Sequence, residues 1–269
     1  MASQQALALN AINELTIVGN GKPLQLSRQT LAVVEPTRIW RGQVLANGPP
    51  SRKPSQLPEP ASNVLTLRLG DVLGSGQCAQ VLAAEALRLT GPHLRLLYPQ
   101  SPHLPELVVK FAHPDRADAL AHEAAMYEEM EILQGVSIPR CYGLFTDSTV
   151  SVLLLERMGG LLPLGDTLPE EGDLWDVFRD LARLGIEQTD SIRYANILQA
   201  PTGFPSAVCP FHKTTHSYRI IDFDNARKTD HTLQRHYFNT ASVLQPILDG
   251  IKSKVVLDPW KQSDRPSAL

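Results

Sequence analysis

The chain has 269 residues, of which 43% are hydrophobic and 20% charged, and its formal net charge is -3. This is the composition of an ordinary globular protein, and the length allows one large domain or two small ones. No cluster of Lys and Arg stands out, so a nucleic-acid partner is not expected. No apolar stretch approaches the length of a membrane span, and the N-terminal region lacks the pattern of a signal peptide.

Cysteine usage points to a reducing compartment. The chain contains three cysteines, Cys78, Cys141 and Cys209, which are far apart in the sequence. An odd and sparse set argues against a disulfide framework. We therefore expect reduced thiols in a cytoplasmic or nuclear protein.

The first 62 residues are predicted to be an extension of the main domain. Residues 29–35 and 38–45 alternate in a manner typical of strands. A proline-rich run from Gly48 to Pro60 follows, which can form neither a helix nor a central strand. We expect it to be a linker or an extended edge segment, and we place a domain boundary after residue 62.

From Asn63 the pattern predicts an α+β domain, followed by a disordered tail over residues 259–269. Runs of β-branched and apolar residues indicate strands, and stretches without Pro or Gly that carry an apolar face indicate helices. The predicted strands are 64–69, 80–87, 106–112, 141–145, 150–155, 197–198 and 218–223, and the predicted helices are 115–133, 173–184 and 232–251.

The first motif is a glycine-rich turn between two predicted strands, with the sequence Leu73-Gly-Ser-Gly-Gln-Cys-Ala-Gln-Val81. Glycine lacks a Cβ, so such a turn lets backbone N–H groups approach phosphates closely. This predicts a phosphate contact by Gly74, Ser75 and Gly76. An ordinary glycine hairpin is the alternative.

The second motif is a lysine inside an apolar strand, Lys110 in Leu-Val-Val-Lys-Phe-Ala. A buried lysine is costly unless it is paired. Glu123 on the following helix is the best partner, and Glu128 is the next candidate. The alternative is that Lys110 lies at a strand end and reaches solvent.

Two further motifs supply candidate metal ligands and a base. Asn196 precedes an apolar pair, and Asp222 ends the strand-like run Arg219-Ile-Ile-Asp222. Carboxylate and amide oxygens at such positions suit Mg²⁺. Asp190 can accept a proton from a hydroxyl group or position the acceptor. A capping Asp and a turn Asn are the alternative interpretations.

Taken in order, these motifs resemble the protein-kinase-like superfamily, in particular the atypical kinase-like proteins predicted in fungi. The similarity covers about residues 63–230 and includes a hinge-like segment from Leu155 to Gly159. It implies a two-lobed fold with a β-rich N-lobe (63–158) and a small, truncated helical C-lobe (159–258). The residues that carry it are Gly74, Gly76, Val81, Lys110, Glu123, Asn196 and Asp222.

The resemblance also implies a function, an ATP- and Mg²⁺-dependent phosphotransferase acting on a hydroxyl of a protein Ser/Thr or a small molecule. Lys110, oriented by Glu123, would hold the α- and β-phosphates, and Asn196 and Asp222 would hold Mg²⁺. Asp190 would be the catalytic base. The glycine turn, Val81, Glu156 and Met158 would bind the nucleotide.

The catalytic loop departs from the family pattern and leaves a second function open. The family places its Asp five residues before the Asn, where this chain has Ser191, and Asp190 is six residues before it. Gln188 stands where the family has a His. These changes favour a pseudokinase, a nucleotide-binding or protein-interaction module without turnover.

The long segment between Asn196 and Asp222 contains Cys209, His212 and His216. Their spacing suggests zinc, but a structural zinc site needs four ligands and the sequence shows no fourth nearby. Solvated loop histidines are the expectation.

Overall fold

A computed structural model describes residues 9–19, 21–37, 44–91, 105–165, 168, 171–188 and 192–255. Seven strands in this part form a closed barrel in the order β1-β2-β6-β7-β5-β4-β3. The strands are β1 (Ile12–Val18), β2 (Leu24–Arg28), β3 (Asn63–Ser75), β4 (Ala79–Thr90), β5 (Leu107–Ala112), β6 (Cys141–Thr146) and β7 (Ser151–Glu156).

The remaining elements follow or interrupt the barrel strands. The α-helices in the described residues are α1 (Ala117–Glu129), α2 (Glu171–Arg183) and α3 (Leu233–Ser253). None of them is both long enough and apolar enough to cross a bilayer. Two pairs of short strands complete the structure: β8 (Ile186–Glu187) with β11 (Arg227–Lys228), and β9 (Ile197–Gln199) with β10 (Tyr218–Ile220).

Barrel closure overturns the predicted two-lobed, protein-kinase-like α+β fold. Strand β1 pairs in parallel with β3, and β2 pairs with β6, so the sheet has no open edge at this point. A closed seven-stranded barrel with three described α-helices does not fit a β-rich N-lobe joined to a helical C-lobe. Closure satisfies the backbone groups that an edge strand would leave unpaired.

The strands that close the barrel come from the segment that the sequence assigned to an N-terminal extension. A boundary at residue 62 would therefore separate β1 and β2 from the strands with which they pair. The strand predicted over residues 29–35 is wrong, because those residues form no strand. Residues 38–43 of the other predicted strand, and the tail from residue 259, lie outside the described residues.

The other predicted elements are confirmed to within a few residues at their ends, except that β3 continues six residues beyond the predicted strand 64–69 to Ser75. Strands β3 to β7 and helices α1 to α3 lie where the periodicity placed them. In β5 the side chains alternate between two cores: Leu107 and Val109 pack inside the barrel, and Val108 packs against the helices. This alternation turns Lys110 toward α1, and so positions the candidate site.

Strand β6 has a position, 143, at which the structure requires glycine. Gly143 has φ +130° at an irregularity in the β6–β7 pairing. A Cβ there would lie 3.0 Å from Cζ of Arg28. The Arg28 guanidinium donates hydrogen bonds to the carbonyls of Asn10, Ile12 and Tyr142, and so connects β2 to β1 and β6.

Candidate functional site

Lys110 lies at the centre of a cluster of charged side chains contributed by separate elements. Its Nζ is 2.6 Å from Oε2 of Glu123 on α1 and 2.7 Å from Oδ1 of Asp222, two residues after β10. The side chain of Lys110 is 9% exposed, that of Glu123 1% and that of Asp222 29%. The predicted pairing with Glu123 is present, and the alternative partner Glu128 forms an ion pair with Arg52.

Burial and neighbouring charges shift the pKa of Lys110 in opposite directions. Burial alone would lower the pKa of its ammonium group, but the nearby carboxylates of Glu123 and Asp222 outweigh this and raise the pKa. Lys110 is therefore a fixed cation at neutral pH. Because Asp222 is the more exposed of its two partners, this part of the cluster is open to a ligand.

The two candidate metal ligands lie side by side. The Nδ2 of Asn196 is 3.2 Å from Oδ2 of Asp222. The backbone strengthens this approach, because the N–H of Ile221 donates to the carbonyl of Asn196. A carboxylate beside a carboxamide is an oxygen donor set that suits Mg²⁺, so the residues present fit this ion.

Asp222 has a backbone conformation that is uncommon for residues other than glycine. Its φ is +70°, in the left-handed region that non-glycine residues seldom occupy. The buried side chain of Gln188 holds this turn, since its Nε2 donates to the carbonyls of Ile221 and Asp222 at 2.9 and 2.8 Å. Sequence reasoning identified Gln188 as a departure from the family pattern and missed this role.

Glu123 also supports the segment that follows Asp222. Its Oε1 accepts a hydrogen bond from the N–H of Phe223, and the Phe223 ring meets Tyr127 of α1 edge-on with ring centroids 5.2 Å apart. Both contacts are buried. These contacts hold α1 against the turn at Asp222. The distances from Lys110 to the carboxylates of Glu123 and Asp222 therefore depend on this packing.

The glycine-rich turn joins β3 to β4, and Cys78 in this turn lies beside Asp224. Gly74 and Ser75 pair with Val81 and Gln80 in the β3–β4 ladder. Burial and hydrogen bonding to the Asp224 side chain raise the pKa of the Cys78 thiol to about 11. That contact places the turn beside the residues that follow Asp222.

Among the described residues, nothing requires glycine at position 74. A Cβ built there would meet none of their atoms within 4 Å, and Gly74 does not have a positive φ. The missing side chain therefore leaves open surface beside the backbone. Gly76 differs, because its N–H already donates to the carbonyl of Ala79.

The hinge-like segment begins with the last two residues of β7 and continues to Gly159. The Glu156 carboxylate is buried and bound by Arg140, with Oε1 2.6 Å from Nη1, so it is not free to contact a ligand. The N–H groups of Glu156, Arg157 and Gly159 donate to other carbonyls. The N–H of Met158 has no hydrogen-bond partner among the described residues, so it is the one donor left in this segment for a ligand.

The predicted base, Asp190, and its neighbour Ser191 lie outside the described residues. All the other predicted site residues are described: Gly74, Ser75, Gly76, Val81, Lys110, Glu123, Glu156, Met158, Asn196 and Asp222. Lys110, Glu123, Asn196 and Asp222 form one cluster, while Glu156 belongs to a separate ion pair.

A cavity of about 820 Å³ lies further along β3 and β4, away from their turn. Charged residues in its wall include Arg68, Glu85, Arg88 and Glu106. None of the four clustered residues lines it. The cluster around Lys110 is therefore separate from this cavity.

No protein-family model matches this sequence, and a search of curated proteins found no match either. The chemistry of the site is the basis for interpreting it.

Proposed function

We propose that this protein binds ATP together with Mg²⁺ and transfers the γ-phosphate to a hydroxyl group of a protein or a small molecule. The observation that carries the proposal is the pairing of one buried lysine, Lys110, with both Glu123 and Asp222, while Asn196 lies beside Asp222. The cluster combines a fixed cation with oxygen donors for a metal. A triphosphate with its magnesium ion needs this combination.

Each residue of the cluster has a role in this proposal. Lys110, held by Glu123, binds phosphate oxygens. Asn196 and Asp222 would hold Mg²⁺, and the bound ion would offset negative charge on the phosphates. The strand before Asp222 and the Gln188 contacts keep these groups in fixed positions, so catalysis relies on positioning and charge.

The rest of the nucleotide would lie against two backbone segments. The open surface at Gly74 allows a close approach of phosphate, and the N–H of Met158 is a donor for the edge of a base. The order of these motifs along the chain adds support through its resemblance to kinase-like sequences. Asp190 is proposed as the base that accepts the hydroxyl proton.

A second function, nucleotide binding without turnover, is favoured by two features of the sequence. Gln188 stands where a His is expected, and Ser191 stands at the usual spacing of the base. The Gln188 amide supports the backbone of Asp222 and cannot act as a general base.

We also propose a cytoplasmic or nuclear location, supported by three free thiols.

An ATP titration with and without Mg²⁺ tests the proposal, carried out on the full chain and on Lys110→Ala. We expect Mg²⁺ to tighten ATP binding to the wild type, and Lys110→Ala to weaken binding at least about tenfold, as for the loss of a charged hydrogen bond. Absence of ATP binding by the folded wild type would contradict both functions. Binding without phosphate transfer or hydrolysis, unchanged in Asp190→Ala, would favour the module without turnover.

A further inference from the structure

A second group of chemically reactive side chains lies outside the nucleotide site. Asp180 on α2 meets Cys209, His212 and His216 from the long segment between β9 and β10, and one ligand atom from each lies within 4.8 Å of the others. The side chains of Asp180 and Cys209 are buried, and that of His216 is 1% exposed. The expectation that these histidines are solvated loop residues is wrong for His216.

We propose that Asp180, Cys209, His212 and His216 form a structural zinc site. A thiolate, two imidazoles and a carboxylate are four ligands of the types that zinc takes in tetrahedral sites. Three of them come from the loop, and Asp180 is the fourth ligand that the sequence did not show.

Two of the distances between ligand atoms match tetrahedral coordination, a third is slightly shorter, and one ligand atom from each residue lies within 4.8 Å of the others. Zinc bonds of about 2.0–2.3 Å at the tetrahedral angle place neighbouring ligand atoms roughly 3.3–3.6 Å apart. Sγ of Cys209 lies 3.5 Å from Nδ1 of His212, and this nitrogen lies 3.4 Å from Oδ1 of Asp180. Nε2 of His216 lies 3.1 Å from Oδ2 of Asp180. Small adjustments of rotamers would bring the sulfur, the two histidine nitrogens and one carboxylate oxygen of Asp180 onto one ion.

Each histidine presents one nitrogen to the cluster and the other to an outer carboxylate of α2. Nδ1 of His216 is 2.5 Å from Oδ1 of Asp173, and Nε2 of His212 is 3.6 Å from Oδ1 of Asp176. Asp173, Asp176 and Asp180 lie on one face of the helix, at spacings of three and four residues. A carboxylate hydrogen-bonded as Asp173 is to His216 fixes the tautomer and orientation of a zinc-binding histidine, whereas Asp176 is too far from Nε2 of His212 for a hydrogen bond.

The backbone around Cys209 has the geometry that supports a metal-bound thiolate. The N–H groups of Phe211 and His212 point at Sγ of Cys209, at 3.3 and 3.4 Å. Lys213 has φ +62°, which lets the loop reverse immediately after His212. The N–H donors stabilise negative charge on the sulfur.

Charge balance also favours a divalent ion at this position. The carboxylate of Asp180 is completely buried: its Oδ2 accepts hydrogen bonds from Ser137, Cys209 and His216, while its Oδ1 has no hydrogen-bond partner among the described residues. A buried carboxylate is costly unless it is paired or binds a metal, and Oδ1 remains open to a metal ion. Zn²⁺ with one thiolate, one carboxylate and two neutral imidazoles has a formal charge of zero, so the cost of burying the site is small.

Such an ion would join α2 to the loop that connects β9 with β10. Asn196 directly precedes β9 and Asp222 follows β10, so this loop joins the two segments that carry the candidate Mg²⁺ ligands. With four protein ligands and no open position, the site would be structural. It does not depend on nucleotide binding.

Elemental analysis of the full-length protein, purified without chelators from zinc-supplemented medium, tests the proposal. We expect about one zinc ion per chain in the wild type. Cys209→Ser and Asp180→Asn should each reduce zinc affinity at least about tenfold. Cys141→Ser is the matched control, because Cys141 is also a buried free thiol but lies outside the cluster, and it should retain zinc.

Cobalt substitution of the wild type gives a second measurement that does not depend on the folding of any variant. Tetrahedral Co²⁺ with one sulfur ligand should give intense visible bands and a sulfur-to-metal charge-transfer band, and zinc should displace both. Zinc equally retained by Cys209→Ser would overturn the proposal. So would another metal in place of zinc, or a wild type that binds neither Zn²⁺ nor Co²⁺.

Discussion

The carboxamide of Gln188 holds the backbone of Asp222 in a left-handed conformation by donating to its carbonyl at 2.8 Å and to that of Ile221 at 2.9 Å. Both contacts involve the same Nε2 atom, and Gln188 is buried. The orientation of the Asp222 carboxylate toward Lys110 therefore depends on a side chain that does not itself contact the lysine. The contribution of Gln188 to the structure can be tested by measurements of stability, without an assay of activity.

Gln188→Ala should destabilise the protein by about 1–3 kcal/mol, because it leaves two carbonyl groups without their donor. Gln188→His is the matched variant, since an imidazole N–H can still donate to one carbonyl, and it should lose less. Urea denaturation measures the free energy of unfolding of each. Equal stability of Gln188→Ala and the wild type would show that these hydrogen bonds do not hold the turn.

Asp222→Asn should abolish the dependence of ATP binding on Mg²⁺, since an amide is a much weaker ligand for this ion than a carboxylate. Asp224→Asn is the control, because this nearby carboxylate faces Cys78 and Asn225 and does not pair with Lys110. Titrations at several Mg²⁺ concentrations measure the effect. Asp222→Asn that retains the full enhancement by Mg²⁺ would remove Asp222 as a metal ligand.

The pairing of Lys110 with Glu123 is a part of the site that the sequence predicted correctly. A lysine within an apolar strand needs a partner, and the next helix offers acidic residues at a short distance along the chain. Both facts are local, so the pair could be predicted. The proximity of Asn196 to Asp222 was implied only by the resemblance to kinase-like sequences, and the pairing of the short strands β9 and β10 is its structural reason.

Barrel closure and the fourth ligand of the zinc cluster could not be predicted in this way. Strand β1 pairs in parallel with β3, with Ile12 opposite Asn63, and no local pattern specifies a partner so distant. Asp180 lies in an amphipathic helix whose pattern is fully explained by packing. Its relation to Cys209 becomes visible only when the loop folds back over α2.

Lys110→Met should lower stability by about 3–5 kcal/mol, because it leaves the buried Glu123 carboxylate without a cation. Glu123→Gln in the same chain should recover much of this loss, since it removes the unpaired charge. ATP affinity should stay low in the double variant, as the phosphate-binding cation is still absent. The cycle therefore separates the structural role of the pair from its role in binding.

Denaturation of the single and double variants, together with ATP titrations, completes this cycle. A double variant that is no more stable than Lys110→Met would contradict the assignment of the loss to the unpaired carboxylate. Recovery of ATP binding in the double variant would contradict the assignment of phosphate binding to Lys110.

His236 on α3 should make stability depend on pH between about 7 and 4. Burial lowers the pKa of its imidazole to about 4, against the attraction of Glu187 and together with the repulsion of His231. The ring lies 3.4 Å from Oγ1 of Thr229 and meets the His231 ring edge-on. His236 is therefore neutral in the folded state at pH values where it is already protonated in the unfolded chain.

The sign of the effect follows from proton binding. Below its unfolded pKa of about 6.5, His236 takes up a proton only in the unfolded state, so stability falls as the pH falls, until the folded pKa of about 4 is reached. The loss between pH 7 and pH 5 amounts to roughly 2 kcal/mol. His236→Asn should show a shallower decline over this range, measured by denaturation at each pH. Parallel curves for the wild type and His236→Asn would contradict the prediction, because they would show that another group causes the pH dependence.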